Sequence, residues 1–272
     1  MESETDYVLG THDEEMARLG LQHRAWQGMT HAAWRAAGIG KGQAVLDLGC
    51  GPGYASLDLA QLVGPSGRVI AVDKSEKFLN ALAATCAQHK IANITTFQAD
   101  LDAGEFPDVT VDGAWCRWVF AFLSKPRQTL ASLGTAIRPG GSVVIHEYFD
   151  YSTWRSAPRC VELEDFVAAV MKCWRDAQGE PDIALSLVGW LEETRFEIQS
   201  VRPILHIVHP GQPKWGWLRA FVEVGRQRLV DLGYLTAEQA EAIQRAFQAM
   251  EGTRGIRMFT PAVLELIAVK KR

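Results

Sequence analysis

Between residues 44 and 148 the chain alternates five short apolar runs with stretches of helical periodicity, and no other feature constrains its fold so tightly. Residues 44–48, 68–73, 94–99, 113–116 and 142–148 read as strands. Residues 54–63 show helical spacing between the first two. Ser75 is placed to cap a helix running to about Lys90, and Pro126 suits the first turn of another. Strands joined through helices of this length run parallel, because antiparallel neighbours need only a tight turn between them. The expected fold is therefore α/β, a doubly wound sheet with helices on both faces.

The flanks are less regular. Thr11 and Glu14 fit a capping box, and Met16, Leu19, His23 and Trp26 recur at helical spacing until Gly38, Gly40 and Gly42 break the pattern. Residues 1–42 thus read as an N-terminal helical cap and 43–272 as the main domain. Helical insertions are expected at about 152–194, broken at Gly179-Glu180-Pro181, and at about 211–252, with Thr236 and Gln239 as a second capping box. Residues 196–208 read as one long strand and 263–269 as a last one. A helical insertion between two late strands is expected at the sheet's edge, as a lid or an oligomer surface, which makes a homo-oligomer one expected partner.

Composition narrows the function. Lys and Arg number 28 against 32 Asp and Glu, a formal charge of −4, and the only dense basic run is Lys270-Lys271-Arg272. A nucleic-acid partner would call for a larger basic footprint. The first residues are acidic and polar, and no apolar run approaches a membrane span. Cys50, Cys86, Cys116, Cys160 and Cys173 are scattered without a C-x-x-C pair, which argues against a metal site or disulfides and for a cytoplasmic setting.

The stretch Val45-Leu46-Asp47-Leu48-Gly49-Cys50-Gly51-Pro52-Gly53 runs a strand into glycines at alternate positions and then a helix. Such a loop lets the backbone turn sharply and approach a ligand, although alone it also fits a dinucleotide site or a tight turn. Three acids sharpen it. Asp47 lies inside the first strand's end, Asp73 ends the second strand where ribose hydroxyls are gripped in doubly wound folds, and Asp100 follows the third. A nicotinamide cofactor explains Asp73 but has no clear use for the other two. A nucleoside with an amino-acid tail uses all three.

Taken together, V-L-D-L-G-C-G-P-G, A-V-D, Q-A-D-L, V-D-G-A-W and I-R-P-G-G-S-V-V-I resemble the successive motifs of class I S-adenosylmethionine-dependent methyltransferases, closely over residues 43–148. The resemblance implies a Rossmann-like seven-stranded sheet whose final strand is antiparallel, S-adenosyl-L-methionine as cofactor, and a small-molecule methyl acceptor. Carried over by position, Gly49, Cys50, Gly51 and Gly53 would pass the methionine part, with Asp47 orienting the loop and the ammonium. Asp73 would hold the ribose hydroxyls, with Lys74 lining the pocket beside it. Asp100 would receive the adenine amine, Leu101 would contact the ring, and Cys116 and Arg117 would lie beside the sulfonium. Asp112 opens the fourth strand and reads as structural.

Methyl transfer relies mainly on alignment in a dry pocket, so a general base matters only for an acceptor that arrives protonated. Candidates for that role cluster at His146, Glu147 and Tyr148 after the fifth strand, although neighbours on a strand point to opposite faces. His23 reads as packed core, Tyr7 as a residue that folds over the cofactor, and Trp215, Trp217 and Phe221 as core or as an apolar acceptor wall. The competing functions are a nicotinamide-dependent oxidoreductase and a module that binds S-adenosylmethionine without methylating.

Overall fold

The computed structural model describes residues 13–272, so Tyr7 and Thr11 lie outside the described residues. The alternating segment folds as its periodicity requires. Strands β1 (Ala44–Leu48), β2 (Arg68–Asp73), β3 (Ile94–Gln98), β4 (Val111–Arg117) and β5 (Ile137–Asp150) are interleaved with helices α2 (Tyr54–Val63), α3 (Glu76–His89) and α4 (Pro126–Ala136), β4 following β3 directly. Helix α1 (Asp13–Ala36) precedes them. After β5 come β6 (Arg155–Ala157), α5 (Val161–Asp176), α6 (Ala184–Glu193), β7 (Phe196–Ile204) and β8 (Ile207–Val208). Helices α7 (Pro213–Asp231) and α8 (Ala237–Gly252) and strands β9 (Arg257–Phe259) and β10 (Ala262–Lys270) complete the chain.

Seven strands form one sheet in the order β3-β2-β1-β4-β5-β10-β7, and β10 runs antiparallel to both of its neighbours. This is the Rossmann-like doubly wound sheet expected from the sequence. Alternation along the strands divides the core. Val45, Val69, Trp115 and Val144 pack under Trp34 of α1 and Leu59 and Val63 of α2. Leu46, Val72, Ala114 and Ile145 face α4 and α6 on the other side. The two caps expected within the described residues hold: the Ser75 hydroxyl accepts from Phe78 N, and Thr236 and Gln239 bond reciprocally at the start of α8.

Three expectations need correction. Strand β5 begins at Ile137 rather than Ser142, and its pairing with β4 shifts register between Val111 and Gly113, with Gly140 at φ 79°. The single strand expected over residues 196–208 breaks after Ile204. There the Thr260 hydroxyl accepts from His206 N at 3.0 Å, and Thr260 N donates to His206 O at 2.9 Å. These bonds lead the chain out of the large sheet into a small one of order β6-β9-β8. Finally, the late helices lie over the carboxyl ends of the strands instead of at the sheet's edge. Their apolar stripes meet each other and α1 in a third cluster that includes Trp26, Tyr151, Trp154, Phe166, Trp217 and Phe221. Periodicity marks which face of α7 is apolar, but not that α1 supplies its partner surface.

Trp26 joins this roof to the sheet, wholly buried and edge-on to both Trp118 (5.1 Å) and Trp217 (5.5 Å). Truncating it leaves a large cavity, so Trp26→Ala is expected to lower stability by about 3–5 kcal/mol, a typical cost for emptying a buried aromatic site. A urea titration checks this. The midpoint should fall while the slope stays that of the parent.

Candidate active site

The loop after β1 is shaped by close approach. Gly49 and Gly53 adopt left-handed φ values of 66° and 83°, and a Cβ at either would collide with a neighbour, Val119 at the first and Leu82 at the second. Side chains are thus excluded twice over, by backbone conformation and by space. Asp73 pins the loop from the tip of β2: one carboxylate oxygen accepts from Gly51 N at 2.8 Å and the other from Ser75 N at 2.9 Å. Burial raises the Asp73 carboxyl above the usual range, outweighing those two amides.

Asp47, 2% exposed, accepts from the Ser56 hydroxyl at 2.5 Å. Burial pushes its pKa up to about 7, against the pull of Ser56 and the Arg117 charge. Asp100 is exposed at the rim, where its carboxylate accepts from Asp102 N at 2.9 Å and fixes the turn after β3. These three acids line one cavity of about 1380 Å³, its open mouth included. Gly49, Cys50, Gly51, Lys74, Leu101 and Arg117 line it too. Gly53 stands behind the loop against Leu82. Cys116 points into the opposite core layer beside Ala114 and Ile145, where burial raises its thiol well above the ordinary range.

Arg117 ends β4 with its guanidinium over Trp118 (5.1 Å) and Trp115 (5.7 Å), and it donates to the Thr30 hydroxyl at 3.1 Å. Burial lowers its pKa to about 10, which leaves it charged at neutral pH. Trp118 follows in the left-handed region (φ 54°), a conformation that costs a bulky residue energy and is concentrated at functional sites. Its ring is stacked between Tyr148 (5.2 Å) and Trp217 (5.6 Å).

The three residues after Ile145 divide by strand alternation. Tyr148 lines the cavity. His146 turns toward the α1 layer, wholly buried, edge-on to Trp115 (4.9 Å) and with Nε2 3.0 Å from Glu265, which Arg202 also contacts. Burial lowers its pKa. Glu147 turns the other way, and one carboxylate oxygen accepts from Val119 N (2.6 Å) and Phe120 N (2.7 Å). Neither His146 nor Glu147 lines the cavity. Glu147 is a positioning residue for the loop that carries Trp118 and Val119.

Other contributors come from α1 and the late helices. Arg18, Gln22 and His23 of α1 line the cavity, with Phe122, Trp174 and Phe221. His23 is 6% exposed, as a core residue should be, yet it also borders the cavity, stacked on Tyr54. Its Nε2 lies 2.9 Å from Asp58, which Gln27 and His31 reach as well. Burial works to raise the Asp58 carboxyl, but these donors together hold it well below the usual range. The i, i+4 spacing of Arg18 and Gln22 marked one helical face, while nothing local showed that this face roofs the strand tips. Of the aromatic trio considered from sequence, Phe221 lines the cavity, Trp217 backs Trp118, and Trp215 packs on Phe247.

Residues 45–141 match the family model of a methyltransferase domain. An uncharacterised protein from a transposon of Streptomyces fradiae is 36% identical over 39% of this chain and 30% of its own. The ubiquinone/menaquinone biosynthesis C-methyltransferase of Pasteurella multocida is 29% identical over 52% of each chain. The chain therefore spans about half the length of that relative, and less of the first. Coclaurine N-methyltransferase, solved with N-methylheliamine and S-adenosylhomocysteine, superposes with a TM-score of 0.56 at 16% identity, covering 89% of this chain and 72% of its own. At that identity the likeness is one of fold.

Burial pushes the Glu147 pKa up to about 8 from the ordinary 4.5, outweighing the amides of Val119 and Phe120. The folded chain thus holds a proton that the unfolded chain releases. The stability this contributes is full below pH 4.5 and is lost as pH rises toward 8. Glu147→Gln keeps an oxygen for the two amides and removes the titration. Its urea midpoint is expected to gain on the parent's between pH 5 and 8, and parallel profiles would contradict the assignment.

Proposed function

We propose that the chain, whose residues 45–141 match the model of a methyltransferase domain, binds S-adenosylmethionine in the glycine cradle and methylates a small molecule held beneath the aromatic roof. The observation that carries this reading is the convergence of Asp47, Asp73 and Asp100, from three strand ends, on one cavity beside the loop. The residues suit the cofactor. Each Asp73 oxygen accepts one backbone N–H and keeps a second lone pair for a ribose hydroxyl. Asp100 at the rim receives the adenine amine, Leu101 meets the ring, and Lys74 contributes backbone and stem. Asp47 orients the loop and faces the ammonium.

Arg117 is better matched to the cofactor's carboxylate than to its sulfonium, since a guanidinium repels a second cation and pairs bidentately with a carboxylate. When bound, the cofactor supplies a methyl group on positively charged sulfur. The protein's part is to orient the acceptor and exclude water, which Trp118, Tyr148, Trp174 and Phe221 do at the roof. Relatives that are methyltransferases by name favour this reading over hydride transfer to a nicotinamide. No helix among the described residues is long and apolar enough to cross a membrane, and all five cysteines are free thiols, which suits work in the cytoplasm.

Asp73→Ala is expected to weaken S-adenosylhomocysteine binding by roughly tenfold or more, because a charge-assisted hydrogen bond contributes about 1.5–3 kcal/mol. Calorimetry reads this directly, and an unchanged affinity would remove Asp73 from the ribose site. With labelled cofactor and a metabolite extract, the parent is expected to label a small-molecule fraction. Absence of any labelled product alongside intact S-adenosylhomocysteine binding would favour the module that binds without methylating.

A further inference from the structure

His23 is the one histidine that lines the cavity among the described residues, and one of its ring nitrogens has no partner. Nε2 lies 2.9 Å from the carboxylate of Asp58 on α2, which Gln27 and His31 also reach. These donors keep Asp58 ionised, so Nε2 donates to it. Nδ1 is then the nitrogen left over, buried and without a hydrogen bond. Tyr54 stacks on the ring and is itself tied to α1, its hydroxyl donating to Met16 O at 3.1 Å.

The place of His23 along α1 says what can fill the gap. Leu19, one turn earlier, stands over the glycine loop, 3.9 Å from where a Cβ on Gly51 would lie. Thr30, two turns later on the same face, accepts from the Arg117 guanidinium, which makes no other hydrogen bond and no ion pair among the described residues. His23 therefore stands between the glycine loop and Arg117. A ligand tail that crosses the loop with its carboxylate toward Arg117 passes beside it.

We propose that His23 binds the carboxylate of the cofactor's amino-acid tail as an imidazolium, so that cofactor binding draws a proton from solution. The proposal rests on the methyltransferase reading of the cavity and adds a linked proton to its cofactor site. A neutral ring that donates through Nε2 presents a lone pair at Nδ1, which repels a carboxylate oxygen. With a proton on Nδ1 the ring donates to Asp58 on one side and to the ligand on the other, through two charge-assisted hydrogen bonds. The buffer supplies that proton, and the new N–H is the only covalent bond formed on the protein. The ionisable groups around the ring are Asp58 and Tyr54 on α2, His31 and Arg18 on its own helix, Asp47 at the end of β1 and Arg117 at the end of β4. From α7, Trp217 and Phe221 meet this stretch of α1, and neither titrates. Arg18 is ion-paired with Glu15. Asp47 and Asp58 favour the imidazolium, Arg117 opposes it, and the ligand's carboxylate tips the balance.

The test is calorimetric titration of the full chain with S-adenosylhomocysteine, which has the same tail, in phosphate and in Tris at about pH 8, where an ordinary histidine is neutral. These buffers differ in ionisation enthalpy, so the difference in heat counts the protons taken up. The parent is expected to take up more than His23→Gln, which keeps a donor for Asp58 and does not titrate. The ligand's own amine contributes alike to both chains and drops out of that difference. At about pH 6 the parent is expected to bind roughly tenfold or more tighter than His23→Gln, the equivalent of one charge-assisted hydrogen bond, and the gap closes as pH rises. A second arm needs no variant: 5′-methylthioadenosine, with the nucleoside and sulfur but no tail, is expected to bind the parent without proton uptake. Equal proton counts in the two chains, or the same uptake with the tailless ligand, overturn the proposal and leave the methyltransferase reading intact. A parent chain that fails to bind S-adenosylhomocysteine overturns that reading as well.

Discussion

One oxygen of Glu147, wholly buried, accepts from the amides of Val119 and Phe120, and the geometry around the cavity depends on this brace. Val119 is the side chain against which Gly49 closes, so the position of the glycine loop is set in part from β5. Trp118, one residue earlier, is held in a left-handed conformation that its own sterics oppose. Two further anchors act on it: Trp118 N donates to His146 O at 3.0 Å, and its ring lies between Tyr148 and Trp217. Adjacent residues of one strand thus hold the loop from opposite faces.

This arrangement accounts for where reading the sequence succeeded and where it stopped. The strands and helices of residues 44–136 were legible because each is specified locally, by period, by Ser75 as a cap and by Pro126 at a helix start. The acids of the cradle were legible because a strand end fixes where its last side chain lies. His146 and Glu147 drew attention as titratable groups near a strand end, yet alternation sends them to the two core layers and leaves Tyr148 at the cavity. Their roles depend on Glu265 and on the amides after β4, partners that are distant in sequence.

The roof was the least legible part. Trp26, Trp217 and Phe221 read as helical apolar stripes, and a stripe shows which face is buried without showing against what. The pairing of α1 with α7 joins segments about two hundred residues apart, fastened by Gln22 accepting from Trp217. The break after Ile204 has the same origin, since Thr260 captures His206 from the far end of the chain. Tertiary partners of this kind decide the outcome wherever local pattern permits more than one.

The family match ends at residue 141, whereas Arg18, Gln22, Trp174 and Phe221 all lie outside it. Trp118 and Phe122 lie inside it, so the cavity joins side chains of the matched stretch to others contributed by the helices on either side of it. Substitutions among the roof helices can reshape the enclosure without touching the glycine loop. A scaffold organised this way can vary one wall of its cavity while the other stays as it is.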